Sequence, residues 1–577
     1  MGRLPKIQLT GAAPGWRRRI GAPVTIMAIA VAVVTTVAVT GAFTGALSAA
    51  AGPAGPAPSR QQFAQHILGT QAAGVMTAPA QAALRMMATG SRELPTGPLS
   101  GQALPVAGPS GPVSSAGNLA KPAFTNVRVN NPALDTHELD QTTQSETAIA
   151  VAGSHVAVGY NDSQQSGLFL TAGSDITGYS YSANGGASFT DGGTIPNTPE
   201  FVNFGDPWLT SSRAGDMYFS TLALDFFNQN LDVAVAKSTD GGKTFGTPVP
   251  VFRPPFSTVY FGDKPAVATG PDPAVTSRDD VYAAYDDFSV NLNVRPFKAF
   301  NGLPVARSTD GGKTWKLAYA ARLLQPMRGC SFSQFIGATP IVNPATGTLY
   351  VVAEKLAVTD PHCLGLPLQR SEWIFRSADG GTTFAPGVQI AGVTEAVPNT
   401  PVAGPALFLG PGRYMRDLEF PAVALRGGAL YVAWNDGASG HSHIRLATST
   451  DGGHTWAVRF VTHGSRDEVQ PALSADASGI HLLYYQRNPN NTLDVLAGNS
   501  RNGTGFSTKR VTTQSFPGTL TIPQFDPTIA FGYMGDYIAN VSDGSHQYFA
   551  WGDNRDTVTN FLYPNGRADP DVFFARQ

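Results

Sequence analysis

The chain has 577 residues and a formal net charge of −2, with 39 Lys and Arg against 41 Asp and Glu. That balance, and the lack of basic clusters interleaved with aromatics, gives no basis for a nucleic-acid partner, since phosphate recognition needs concentrated positive charge. Only 14% of residues are charged while Gly (63) and Pro (44) are plentiful, a composition that suits many short strands joined by turns and excludes a long helical bundle.

Residues 1–20 form a basic leader that contains Arg17, Arg18 and Arg19. Residues 21–51 read as a signal peptide or membrane anchor: the run 20–59 is uncharged, and its core VTIMAIAVAVVTTVAVTGAF is long enough to span a bilayer. Small residues at 48–51 suit a signal peptidase, so cleavage and retention both stay open, the length of the run favouring an anchor. In either case the basic flank predicts export, with the C-terminal bulk secreted or held on the outer face of the cell membrane. Residues 52–120, rich in Ala, Gly, Pro and Ser, read as a tether without a site. Within them 60–87 has the makings of one or two short helices, against which stands the reading as a loosely ordered linker.

Residues 121–577 are organised around a repeat. STDGGKTF from Ser238 returns as STDGGKTW from Ser308, SADGGTTF from Ser377 and STDGGHTW from Ser449, with worn copies from Ser182 and Ser500. Asp240, Asp310, Asp379 and Asp451 can each accept backbone N–H bonds within their own turn, and the Gly pair that follows can take positive φ. The closing aromatic then packs between neighbouring sheets. Dispersed copies of one joint are structural chemistry, not catalysis. Around each box lie four short strands, which make a blade of a β-propeller. Six full blades run to about Thr512, and the segments 535–541, 546–553 and 571–577 follow without an outer strand. FTNVRVN (124–130) resembles the other outer strands, so the expectation is an all-β fold: a seven-bladed β-propeller of four-stranded antiparallel blades, closed by pairing N- and C-terminal strands.

The box resembles the Asp-box, or BNR repeat, of the sialidases (neuraminidases) and related secreted β-propellers. The resemblance implies fold more directly than activity, because Asp-boxes also occur in propellers that are not sialidases. It also supplies the alternative of six blades, the sialidase number. A sialidase holds the substrate carboxylate with three arginines, one in an FRIP-like motif, and uses a Tyr with a Glu as nucleophile and an Asp as acid. No FRIP is present, FRPP at Phe252 falls in an expected outer strand, and no arginine triad is recognised. Tyr533 and Tyr537 flank Asp536 and can imitate the tyrosine.

Cys330 precedes the first strand of the fourth blade and Cys363 follows the second, so antiparallel pairing brings them together as a disulfide. Aligning the first strands puts Glu146, Asp206, Asp263, Ala338, Glu419, Val469 and Asp536 at equivalent starts. Five of these seven are acidic, and the second strands end on Asp162, Asp225, Asp286, Asp287, Glu354, Asp436 and Asp553, which predicts an acidic channel mouth. Two chemistries fit clustered carboxylates: Ca²⁺ bound by Glu146, Asp206 and Asp263, or catalysis by Asp263, Glu419 and Asp536 with Tyr537. Against both stands the reading as strand caps in a wet rim. His441 and His443 have a spacing open to a metal or to two exposed side chains. The function expected is a sialidase-like glycoside hydrolase or glycan-binding propeller acting on extracellular glycans through the acidic mouth. Its alternative is a non-catalytic, metal-dependent cell-surface module. The partner in either case is an extracellular glycan or surface ligand, with membrane contact through the N-terminal segment if it is uncleaved, and the propeller is expected to be monomeric.

Overall fold

The computed structural model describes residues 59–91, 124–135 and 143–577, apart from 166–172, 226–229, 255–257, 292–297, 301, 327–329, 397–405, 410–413, 519–533, 560 and 562–563. The expected leader (1–51) and Tyr533 lie outside these residues. Among the described residues no helix is long and apolar enough to cross a membrane.

Seven antiparallel sheets follow one another along the chain, each running from an inner to an outer strand. The first is Gln144–Ala152, His155–Gln165, Asp175–Ser182 and Thr190–Thr194. The second has a split inner strand, Phe201–Asn203 and Trp208–Ser211, then Met217–Asp225, Asn230–Ser238 and Val249–Pro250. Gly262–Pro271, Phe332–Val342, Ala422–Arg426 and Glu468–Ala475 open the next four. The seventh takes Ala539–Ser542, Gln547–Val558 and Arg567–Arg576 from the C-terminus and Val127–Arg128 from the other end of the domain, with Val127 opposite Phe574 and Arg128 opposite Phe573. The fold is thus a seven-bladed β-propeller closed by its two ends, so no blade is left with an open edge at the seam.

Blades pack face to face, which is why their strands are buried on both sides rather than alternately. Between blades one and two, Ala148, Ala150 and Ala157 meet Leu209, Phe219 and Ala236. A Cβ on Gly159 would fall 2.6 Å from Leu209 Cδ1 and 2.8 Å from Phe219, so only glycine lets the second blade approach this closely.

The repeated boxes form the turn that their residues dictate. In the box from Ser308, the Ser308 hydroxyl donates to Asp310 Oδ1 at 2.8 Å, and Asp310 accepts from Lys313 N, Thr314 N and the Thr314 hydroxyl at 3.0, 2.9 and 2.6 Å. Slight burial pushes the Asp310 carboxyl up, but bonds from Thr314, Ser308 and Lys313 outweigh it and hold the group at about 2. Phe245, closing the box before, stands edge-on to Tyr179 of blade one at 5.1 Å and to Phe219 of blade two at 5.3 Å. The aromatic is therefore a wedge between blades. Cys330 and Cys363 are bonded, with Cα atoms 4.9 Å apart.

Residues 59–91 depart from the tether expected of them. They fold into three helices, α1 (Arg60–Leu68), α2 (Gln71–Gly74) and α3 (Ala78–Thr89), with Ser59 and Gln62 forming a capping box and Gly90 ending α3 in the left-handed conformation. Ala64, Met76, Ala80 and Leu84 are wholly buried in a cluster with Phe204, Phe261, Phe332 and Leu418, which lie at or just before the inner strands of four different blades. The apolar surface that orders this stretch lies hundreds of residues away, which is why composition alone suggests a linker.

Candidate functional site at the channel mouth

Four of the seven inner strands carry a bulge. The pairing register skips between Ser145 and Ala148, Asp263 and Ala266, Ile336 and Thr339, and Val469 and Ala472. The first residue skipped has positive φ each time: Glu146 (53°), Lys264 (40°), Gly337 (68°) and Gln470 (51°). Asp206 (54°) occupies the break in the second blade's inner strand. Positive φ is strained for residues with a Cβ and persists only where the surroundings enforce it.

The register corrects the sequence alignment. Lys264, Gly337 and Gln470 stand in line with Glu146 and Asp206, so Asp263, Ala338 and Val469 are one residue out of place. In a strand that slip changes the face a side chain points to. The signal was present as proline: Asp206-Pro207, Lys264-Pro265, Phe420-Pro421 and Gln470-Pro471 mark the same step.

Lys264 is the residue that sequence reasoning missed. Its ammonium lies 4.7, 5.0 and 5.1 Å from the ring centres of Trp208, Tyr537 and Phe420. Burial lowers its affinity for the proton, while Asp286, Glu146, Asp206 and Asp536 oppose that loss. Lys264, Trp208, Phe420, Gln470 and Tyr537 line a cavity of about 110 Å³ along the inner strands.

The carboxylates are not a wet rim. Glu146, Asp206, Asp263, Glu419 and Asp536 are all at most 1% exposed. Asp206 and Asp263 face one residue of the helical segment: the Thr77 hydroxyl lies 2.6 Å from both Asp206 Oδ2 and Asp263 Oδ1, and Thr77 N–H donates to Asp263 Oδ2 at 3.0 Å. Lys264 N–H donates to Asp263 Oδ1 at 2.9 Å, while Glu146 accepts from Asn161 Nδ2 at 2.8 Å and from Asp536 N–H at 3.0 Å. Burial, then the charges of Glu146 and Asp263, push Asp206 well above the usual carboxylate range. Burial raises Asp263 too, against the bonds from Thr77.

The other two candidate acids are held by arginines. Arg416 pairs with Asp536 Oδ1 at 3.0 Å, and burial leaves Asp536 at about 7 despite that guanidinium. Arg370 bonds Glu354 Oε1 at 2.6 Å and also pairs with Glu419, whose carboxyl burial pushes well up. The Tyr537 hydroxyl donates to the Pro207 carbonyl at 2.9 Å, and burial together with Glu146 and Asp206 raises it further from ionising. The structure thus brings Glu146, Asp206 and Asp263 together and gives Glu419, Asp536 and Tyr537 protein partners. Arg253 of FRPP pairs with Glu200 at 2.8 Å on the surface.

Of the oxygens of Glu146, Asp206 and Asp263, several already face Thr77, Asn161 and backbone donors, and the Lys264 ammonium shares their field, while the buried Asp206 Oδ1 has no hydrogen-bond partner. Among the described residues, three carboxylates whose oxygens lie within 4.8 Å of one another occur instead near the seam, at Asp135, Asp569 and Asp571. Nor are the two histidines an exposed pair: His443 is buried and shares a 2.5 Å hydrogen bond with Glu468, while His441 is partly exposed and meets Asp467 at 3.2 Å.

Residues 306–317 match the BNR/Asp-box repeat. With that repeat and the seven sheets, the protein is an Asp-box β-propeller. No curated protein matches the chain in sequence. Among solved structures the chain is similar to an α-L-arabinofuranosidase from Fusarium graminearum, with 13% identity and a TM-score of 0.41 over 66% of this chain and 98% of that one. It is similar to a PL25 ulvan lyase at 13% and 0.40, over 63% and 80% of the two chains, and to the endosialidase of phage phi92 at 10% and 0.39, over 79% and 69%.

Proposed function

We propose that the channel mouth is an acid–base site for an uncharged extracellular glycan, with Asp206 and Asp263 as the working pair. The observation that carries this reading is the Thr77 hydroxyl at 2.6 Å from a carboxyl oxygen of each. A hydroxyl has one proton to give, so two such short contacts with carboxyl oxygens require a second proton, held by one of the aspartates. A carboxylic acid beside a carboxylate is the pair that glycoside hydrolysis needs. Asp206, pushed up most clearly, donates its proton to the leaving glycosidic oxygen, and Asp263, which keeps the bond from Lys264 N–H when ionised, attacks the anomeric carbon. The two oxygens facing Thr77 lie no farther apart than twice 2.6 Å, which supports direct attack by Asp263 over an intervening water, with Asp206 then taking the proton of the water that frees the sugar from Asp263.

Several features support the remainder of the reading. The committed Tyr537 hydroxyl argues against a sialidase-type nucleophile, and the carboxylates disfavour an anionic sugar. The basic leader, the apolar run and the Cys330–Cys363 bond support export to an oxidising compartment. A second reading, a module that binds glycans without turnover, is favoured by the arginine pairing of Glu419 and Asp536. A panel of aryl glycosides, with a sialoside included, separates the two. Turnover of an uncharged glycoside, lost at least a hundredfold in Asp206→Asn and Asp263→Asn, supports catalysis. Binding on a glycan array without turnover by any chain supports the module.

A further inference from the structure

Five buried carboxylates at the mouth of an open channel would be unexpected, since water would reach them. Two of them, Asp206 and Asp263, are covered here by Thr77 of residues 59–91. The segment is complementary to the mouth in charge: the first acidic residue of the whole chain is Glu93, whereas Arg60 and Arg85 fall inside the helices. It is complementary in shape as well. Gly205 has φ +88°, and a Cβ there would lie 2.9 Å from the Pro79 ring, so the second blade is cut back where the start of α3 rests. Polar anchors pin it from several blades. Arg60 Nη1 donates to Asn230 Oδ1 at 2.6 Å, Gln71 Nε2 to the Leu366 carbonyl at 3.3 Å, and the Arg416 guanidinium to the Met76 carbonyl. At the centre Thr77 offers two neighbouring donors, a hydroxyl and an N–H, to the carboxyl pair.

A glycan that presents its glycosidic bond to this pair has to occupy the place of Thr77, so segment and glycan exclude one another. We propose that residues 59–91 are an internal pseudo-ligand that closes the mouth of the intact chain, Thr77 standing where the reacting bond of an uncharged glycan binds, and that displacing the segment opens the site. This rests on the reading of the mouth as a glycan site. Thirty-two residues, 92–123, join the segment to the seam. At roughly 3.3 Å per residue they allow a reach of up to about 100 Å, so the helices can leave the mouth without breaking the chain.

The test uses the full chain and carbodiimide labelling with glycine ethyl ester, mapped by peptide mass, which reports access to Asp206 and Asp263 whether or not the protein turns anything over. Thr77→Glu places a third carboxylate against the pair. Ala64→Asp/Leu84→Asp charges the buried face of the helices and leaves every propeller residue unchanged. In the unaltered chain the two aspartates should label at least tenfold more slowly than exposed Asp310, and in both variants that protection should vanish while the propeller melts within a few degrees of the parent. In the Thr77→Glu chain, uncharged xylo-, manno- or arabino-oligosaccharides should restore protection. Labelling of Asp206 and Asp263 in the unaltered chain at the rate of Asp310 would overturn the proposal. So would continued protection in variants whose helical amides exchange freely, collapse of the propeller in both variants, or protection by a sialyl oligosaccharide alone. Failure of turnover in a variant whose aspartates do label counts against the catalytic reading and leaves the plug standing.

Discussion

Asn130 is the residue on which the seam of the ring can be tested without truncating anything. Its side chain is buried and works in both directions: Nδ2 donates to Asp571 Oδ1 at 2.8 Å and to Gln144 Oε1 at 3.3 Å, and Oδ1 accepts from Val572 N–H at 3.0 Å. It therefore ties the N-terminal strand to the C-terminal strand and both to the first blade. Asn130→Ala strands a backbone N–H and a carboxyl in the interior, each at a cost of about 1–3 kcal/mol, so the loss should be about 4 kcal/mol. At about 2.1 cal/mol/K of unfolding entropy per residue, a propeller of this size loses about 1 °C per kcal/mol, which puts the fall in melting temperature at about 4 °C. Asp571, which burial and Asp569 push up to about 8, is ionised above that pH and needs the Asn130 donor more, so the fall should be larger at pH 9 than at pH 6. Calorimetry on the full chain reads the shift, and hydrogen exchange at the Val572 amide locates it. A melting temperature within 1 °C of the parent at both pH values, with Val572 protection unchanged, would refute the closure of the ring by these strands.

Replacing Cys330 and Cys363 by Ser should lower stability by about 3–4 kcal/mol for a 33-residue separation, seen as a fall of about 4 °C, and the unreduced protein should show no titratable thiol after denaturation. Asp232, raised to about 8 by burial and then by Asp225, keeps its proton in the folded chain but loses it near 3.8 when unfolded. Stability from this group is full below pH 4 and is lost as pH rises to 8, so Asp232→Asn should flatten the decline in melting temperature between pH 5 and pH 9. An unchanged slope counts against that account. Because Thr77 and the Lys264 ammonium already occupy the field of Glu146, Asp206 and Asp263, and only Asp206 Oδ1 lacks a partner among the oxygens of the Asp206–Asp263 pair, millimolar Ca²⁺ should not move the melting temperature of the intact chain relative to chelator. A rise that Asp206→Asn/Asp263→Asn removes would restore the ion to this site.

What the sequence determined by itself is the part of this protein built from local chemistry repeated many times. Each box carries its own turn, because Ser, Asp, the Gly pair and Thr satisfy one another within a few residues, and six such turns with four strands apiece specify blades. The seam was legible for the same reason, as an outer strand displaced to the other end of the domain, and so was the Cys330–Cys363 pair, which antiparallel pairing alone brings together. The candidate site was legible only in part. The acids at the strand starts could be named, but their register turns on a single-residue bulge, and a slip of one exchanged Lys264 for Asp263. Tertiary structure alone decided which charges meet, because Lys264 reaches Glu146, Arg370 reaches Glu419 and Arg416 reaches Asp536 only across elements far apart in the chain. It also decided the fate of residues 59–91. Their alanines and methionines carry no strong period of their own, and become helices with a buried face because four blades, far away in sequence, present the apolar residues and the two aspartates on which they rest.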